Sequence, residues 1–333
     1  MRKFTSIALG AVLALSMSAT VFADTDYTDQ ATATLYKTYT LTNEGTTSPA
    51  ETFSFSALTC TSVTNAADDV TTANAPVPTI ANVSFAAGEA GTTKPVTITL
   101  PEYTSVGVYT YSFNEIAGST EGVTYRTTPM KLVVTVLNDE NGLIRVAGVH
   151  AEKADSDVKT DTFDENTYSA GTLEVTKDVT GNLGDKTKNY EVQVVFTAEE
   201  GTTVNSAITY TNYKGETETI DPSDWSESGV YALTFDITDG STVSFANIPY
   251  GVTYTVKESD YSSEGYTTTY TSTDTDSVVN SASETVTITN DKGIDEPDTG
   301  LYTDMMPYVV VIGAAACAGA VFFVSRRRKS NED

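Results

Sequence analysis

Six side chains capable of chemistry fall in one repeated order along this chain. An amine, a carboxyl and a carboxamide occur as Lys37, Glu115 and Asn166, and again as Lys177, Glu258 and Asn290. Each lysine sits in a strand-like run lined by apolar residues and threonine. Each glutamate ends an alternating Tyr/Phe/Val run, and each asparagine closes a last alternating run. Taken singly none carries an argument, because lysine and glutamate at strand ends are usually solvated and asparagine after a strand is a common turn residue. The ordered recurrence of all three singles them out. The usual catalytic vocabulary is missing around them. One histidine, His150, lies in a strand-like segment. There is no histidine pair, CxxC or HExxH motif to hold zinc. There is no GxxxxGK or GxGxxG phosphate loop, and no GxSxG to present a nucleophilic serine. The sequence therefore predicts no metal, no cofactor and no turnover enzyme.

The elements that must position these residues are strands. The chain is rich in threonine and carries 19 Tyr and 12 Phe among 333 residues, a composition that favours strands over helices. Period-two alternation marks Thr32 to Leu41, Glu51 to Ser56 with Phe53 and Phe55 on one face, 80–86, 94–100 and Gly107 to Glu115. The run Lys131 to Leu137 is more continuously apolar, and Asn138 to Gly142 reads as a hairpin turn from which Leu143 to His150 returns. Residues 59–79 read as a loop. A short Ser/Ala/Gly joint follows Asn166, and a second module begins with Thr172 to Lys177. It continues through Tyr190 to Ala198, Gly229 to Phe235, Ser241 to Phe245, the run Ile248 to Glu258, and Ser283 to Asn290. No long amphipathic helix is predicted. The expected fold is all-β, two immunoglobulin-like β-sandwich domains in tandem, spanning 30–168 and 171–292.

The two ends predict export and anchoring. Residues 1–23, with Arg2 and Lys3 ahead of an apolar run and small residues before Asp24, read as a signal peptide. Residues 305–324 are long and apolar enough to span a bilayer. The basic tail 325–333, with Arg326, Arg327, Arg328 and Lys329, then fixes that end in the cytoplasm. The body between is strongly acidic. Residues 24–299 carry a formal charge of −29, because six of the 19 Lys+Arg but only three of the 45 Asp+Glu lie outside them. Such a surface repels nucleic acid and anionic membranes, and it repels copies of itself. Cys60 is alone in the body and Cys317 lies in the membrane run, so no disulfide can staple the exported part.

With those residues in view, the chain resembles the major (backbone) pilins of Gram-positive bacteria, the two-domain streptococcal type, over nearly all of 30–300. The resemblance rests on Leu35-Tyr36-Lys37, Tyr109-x-Tyr111-x-Phe113-x-Glu115, the step from Asn166 to Lys177, Tyr254-Thr-Val-Lys-Glu258 and Val286-Thr-Ile-Thr-Asn290. It implies a self-formed Lys–Asn amide bond in each domain: Lys37–Asn166 promoted by Glu115, and Lys177–Asn290 promoted by Glu258. One departure is visible. Two residues separate Phe163 from Asn166 where the family usually has one. The physical chemistry agrees with this assignment. Burial disfavours charge, leaving a neutral nucleophilic amine and a protonated acid. That acid can donate to the asparagine carbonyl and help expel ammonia. Proximity in the folded domain replaces collision.

The segment 293–300 resembles a sortase sorting signal. Pro297, Thr299 and Gly300 fit the xPxTG pattern, with Glu296 at the position usually held by leucine, and an apolar span and basic tail follow. The resemblance implies cleavage between Thr299 and Gly300 and transfer of the Thr299 acyl group to a lysine of the next subunit. Lys159, seven residues before Asn166, matches the acceptor position of the similar pilins, and Lys153 is the rival. The implied partners are copies of the chain in a covalent fibre, pilus-specific and housekeeping sortases, accessory tip or base pilins and host-surface ligands, with the product anchored in the cell wall. The alternative is a sortase-anchored monomeric adhesin, which shares every feature except the need for an acceptor lysine.

Overall fold

The computed structural model describes residues 30–154 and 158–294. The predicted signal peptide, the residues Pro297, Thr299 and Gly300, the apolar span 305–324 and the tail 325–333 lie outside them. The described chain is all-β. The first module contains β1 (Thr32–Leu41), β2 (Glu51–Phe55), β3 (Thr59–Thr64), β4 (Thr79–Ile80), β5 (Val83–Phe85), β6 (Thr92–Thr99), β7 (Gly107–Phe113), β8 (Glu115–Ile116), β9 (Val123–Thr124), β10 (Met130–Asn138), β11 (Ile144–Lys153), β12 (Lys159–Thr160) and β13 (Thr162–Tyr168). The second contains β14 (Ala170–Thr180), β15 (Tyr190–Thr197), β16 (Ile208–Thr211), β17 (Thr217–Ile220), β18 (Val230–Ile237), β19 (Thr242–Pro249), β20 (Thr253–Glu258), β21 (Thr267–Ser272) and β22 (Ser283–Asp291). Among the described residues no helix is long and apolar enough to cross a membrane.

Each module packs sheets around its own core. In the first, the sheet β4-β6-β1-β13-β9 faces β12-β11-β10-β7-β3, and a small sheet β5-β2-β8 completes the wall. The alternate residues Tyr109, Tyr111 and Phe113 of β7 and Leu132, Val134 and Val136 of β10 all turn inward. Period-two alternation thus builds the core directly. In the second, β17-β16-β19-β14-β22-β21 faces β18-β15-β20, with Val192, Val194 and Phe196 of β15 packed toward Val175, Phe245 and Ile288.

One pairing governs mechanics. The first and last strands of each module are parallel neighbours inside a sheet: β1 beside β13, and β14 beside β22. Tension on the ends of a module therefore shears these two strands along their length, against a ladder of individually modest hydrogen bonds.

Three sequence expectations change in detail. Part of the predicted loop 59–79 is the edge strand β3, which pairs with β7. The single run expected from Ile248 to Glu258 is broken at Tyr250-Gly251, where Gly251 takes φ +98°. The predicted joint after Asn166 is one residue, Ser169, between β13 and β14.

That joint is braced from both sides. Ser169 donates its N–H to Gly122 O and accepts from Tyr250 N–H, each at 2.9 Å. The 119–121 segment of the first module pairs with Thr203 of the second. Tyr168 donates to Ser206 Oγ at 2.8 Å, and Asn247 exchanges two hydrogen bonds with the backbone of Thr47. Glu121 sits at the centre, buried, accepting from Glu199 N–H at 3.1 Å and from the Thr202 hydroxyl. A Cβ at position 251 would collide with its Oε1, so this close approach requires Gly251.

Burial pushes the Glu121 carboxyl above its ordinary range, with the hydrogen bonds from Thr202 and Glu199 opposing. A folded-state value raised in this way means that the folded junction holds the proton more tightly. The cost of ionising Glu121 is absent below the ordinary carboxylate value and complete above the raised one. The junction therefore weakens as pH rises through that window. Amide exchange at Glu199 and Thr203 is expected to accelerate over that window, and Glu121→Gln is expected to flatten the dependence. An unchanged pH slope in Glu121→Gln would contradict this account. Glu121→Ala, which strands the Glu199 N–H, is expected to cost about 2 kcal/mol at the junction.

Candidate functional site: two buried amine–carboxyl–carboxamide clusters

The six recurring residues converge into two clusters, one in each core. Lys37, Lys177, Asn166 and Asn290 are each 0% exposed, Glu115 8% and Glu258 5%. These values decide against ordinary solvated strand ends, since burying an unpaired ammonium costs several kcal/mol.

Alternation on β1 points Leu35, Lys37 and Tyr39 into the first core. Lys37 lies opposite Phe163, and Asn166 lies opposite Tyr39, two positions further along. The second module repeats this arrangement. Lys177 lies opposite Ile288, and Asn290 lies opposite Val179. The extra residue between Phe163 and Asn166 is absorbed by a bulge between the Lys37 and Tyr39 pairings, where three steps on β13 match two on β1. Asn166 thereby regains the face and register that Asn290 holds without a bulge.

In the first cluster Lys37 Nζ contacts both Glu115 Oε2 and Asn166 Oδ1, and Asn166 Nδ2 donates to Glu115 Oε1. The Arg126 N–H also donates to Glu115 Oε1, at 3.0 Å. One carboxyl therefore touches both nitrogens, with the amine also against the carboxamide. Aromatic rings close the chamber. Lys37 Nζ lies 4.4 Å from the Phe53 ring centroid and 5.7 Å from that of Phe163. Phe55, Phe113 and Phe163 pack around them in edge-on and tilted contacts.

The second cluster has the same parts in a looser arrangement. Lys177 Nζ lies 3.0 Å from Glu258 Oε1, an ion pair without hydrogen-bond alignment, and 4.5 Å from the Tyr190 ring centroid. Burial holds the Lys177 amine below the usual lysine range, with Glu258 the main opposing influence. Glu258 Oε2 accepts from the Thr268 hydroxyl at 3.2 Å, and Glu258 N–H donates to Tyr270 Oη at 2.9 Å. Neither Asn290 Nδ2 nor Oδ1 has a hydrogen-bond partner. A buried carboxamide left so is costly and rare, and it calls for an explanation in function.

Sequence reasoning did not single out the residues that build these chambers: Phe53, Phe163 and Arg126 in the first, Tyr190, Thr268 and Tyr270 in the second. Alternation marked Phe53 and Tyr190 as inward-facing, but nothing local ties them to a lysine far away in sequence.

Lys159 is exposed on β12 at the edge of its sheet, where it pairs opposite Glu152. Lys153 ends β11 and is partly buried. His150 Nε2 lies 2.9 Å from Glu152 Oε1, away from both clusters. Among the described residues no group of His, Cys, Asp and Glu is placed to hold a metal.

Comparison with known proteins places these clusters in context. Residues 33–169 match the family described as a Spy0128-like isopeptide containing domain. Residues 171–292 match a family described as a domain of unknown function. The chain is 29% identical over 236 residues to a pilin of Streptococcus pyogenes serotype M1, covering 66% of this chain and 68% of that protein. Among solved structures it is similar to the major pilin of Streptococcus pyogenes, with 23% identity, 80% of this chain and 100% of the other covered, and a TM-score of 0.54. It is likewise similar to the T3.2 major pilin of that organism, with 19% identity, 80% and 99% covered, and a TM-score of 0.55.

Proposed function

We propose that the chain, whose residues 33–169 match a Spy0128-like isopeptide domain, is a streptococcal-type major pilin, the backbone subunit of a covalent surface pilus whose two sandwiches are each locked by a self-formed amide bond. The observation that carries this reading is the pair of fully buried Lys–Glu–Asn clusters joining the first strand of each module to its last.

In each cluster the neutral lysine amine attacks the asparagine Cγ, a new C–N bond forms, and the original carboxamide nitrogen leaves as ammonia. The glutamate takes part as a proton carrier and is regenerated. In the first cluster Glu115 bridges Lys37 Nζ and Asn166 Nδ2. This supports a shuttle from the attacking amine to the leaving nitrogen, the ammonia-expelling part of the role that the sequence led one to expect. No water or cofactor enters the balance. In the second cluster the depressed basicity of Lys177 and the unpartnered Asn290 support the same reaction.

The subunits are joined by sortases. The precursor is exported by residues 1–23 and held by 305–324. It is cleaved between Thr299 and Gly300 within the Pro297-containing signal, and its Thr299 acyl group passes to Lys159 of the next copy. The exposure of Lys159 at a sheet edge supports this choice, because an acceptor must reach an enzyme cleft. A housekeeping sortase then attaches the fibre to the wall, where accessory pilins and host-surface ligands are its further partners.

Immunoblots of cell-wall extracts test the assembly. The wild type is expected to give a high-mass ladder, Lys159→Ala a single band, and Lys153→Ala the wild-type ladder. A single band in the wild type would fit the anchored adhesin and contradict the pilin.

A further inference from the structure

The second cluster lacks the bonds that orient its acid in the first. Glu115 Oε1 accepts from the Arg126 N–H and from Asn166 Nδ2, which leaves Oε2 aimed at Lys37 Nζ. Asn290 gives Glu258 no such bond. Among the described residues neither of its amide atoms has a hydrogen-bond partner. Two groups of β21 hold Glu258 instead. The Thr268 hydroxyl donates to Glu258 Oε2 at 3.2 Å, and the Glu258 N–H donates to Tyr270 Oη at 2.9 Å.

Register places β21 for this task. The strand is the edge of the six-stranded sheet, beside β22. Thr268 pairs opposite Asn290, and Tyr270 pairs opposite Ile288, which in turn lies opposite Lys177. Directly opposed residues of an antiparallel pair share a face. Asn290 is fully buried, so Thr268 also turns inward, although the other five residues of β21 are exposed. Glu258 ends β20, at the edge of the three-stranded sheet. At the cluster β21 therefore straps the two sheets together. Its backbone ladders to the strand that carries Asn290, and its side chains hold the strand end that carries Glu258.

We infer that Thr268 is a positioning residue for amide formation in the second module. Thr268 faces Asn290 across the ladder, so its hydroxyl draws Glu258 Oε2 to the side of the carboxamide. Oε1 is left facing the amine, 3.0 Å from Lys177 Nζ. The carboxyl is thereby turned toward both nitrogens of the reaction, as Glu115 is in the first module. This inference rests on the proposed Lys177–Asn290 bond and adds the group that orients its acid. The covalent step is unchanged: Lys177 Nζ bonds to Asn290 Cγ and the carboxamide nitrogen leaves as ammonia. Thr268 acts through Glu258.

Peptide mapping of the full-length chain, at intervals after pulse labelling of the producing cells, tests the role. The Lys37–Asn166 branched peptide of the same molecules is the internal control. Thr268→Val keeps the β-branched shape of threonine and removes the hydroxyl. It is expected to slow the appearance of the Lys177–Asn290 branched peptide by about tenfold to a hundredfold, while the control peptide forms at the wild-type rate. Thr268→Ser keeps the hydroxyl and is expected to restore the wild-type rate. Packing alone would give the reverse order, because valine suits a strand better than serine. Wild-type kinetics in Thr268→Val, or an equal delay in both variants, would overturn the role and leave the bond itself intact. Absence of the Lys177–Asn290 branch from the wild type would overturn both.

Discussion

Asn166→Ala is expected to lower the melting temperature of the first sandwich by roughly 15 °C. The proposed bond between Lys37 and Asn166 would span 129 residues. On the chain-entropy account, a cross-link closing a loop of that order stabilises by about 5 kcal/mol. The unfolding entropy of a domain this size, about 0.3 kcal/mol/K, converts this to the stated shift. Alanine also leaves Lys37 and Glu115 buried together without their third member, which adds to the loss. Calorimetry of a soluble body segment ending at Thr299 would show the change. A shift under ~3 °C would mean that the residues are packed but not joined.

Glu115→Gln and Glu258→Gln are each expected to leave one amine and one carboxamide unjoined, so that each variant retains one ammonia more than the wild type. Glutamine fits the space of glutamate but cannot carry the proton. Loss of general acid–base assistance slows such a reaction by about 10²–10⁴-fold, and weaker stabilisation of the charged intermediate adds to that. The reaction occurs once per molecule, so a delay of this size shows as unreacted protein after preparation. In the first module the glutamine faces Lys37 Nζ and Asn166 Nδ2, where Glu115 now touches both. In the second it faces Lys177, which burial already keeps less basic. Complete bond formation in both variants within the time of purification would remove the carboxyls from the mechanism.

The two buried clusters were legible in the sequence because their members are written twice. Lys37, Glu115 and Asn166 gain meaning from Lys177, Glu258 and Asn290, and the alternation around each lysine already placed its side chain on the apolar face. The bulge opposite Lys37 was visible only as one residue too many between Phe163 and Asn166, since register belongs to the partner strand as much as to the strand itself. Strand β21 could not be seen at all. Thr267–Ser272 is mostly exposed and has no apolar contrast to give a period. It forms because the edge of β22 offers it a ladder. The same limit hid Glu121, one carboxylate in a short loop whose importance comes from Glu199, Thr202 and Gly251, all far along the chain.

In the proposed fibre, tension arriving at Lys159 would run along β13, pass the single-residue joint at Ser169 and enter β14. The Lys177–Asn290 bond would then carry it across to β22 and Thr299, where the parallel strands β14 and β22 would otherwise meet the load in shear with hydrogen bonds alone. The Lys37–Asn166 bond would clamp β1 to the loaded strand β13. The intact mass of the body segment, followed by peptide mapping, tests the central claim. The account predicts a mass below that of the sequence by two molecules of ammonia, with branched peptides joining Lys37 to Asn166 and Lys177 to Asn290. A mass equal to that of the sequence, with all four residues recovered in linear peptides, would contradict it.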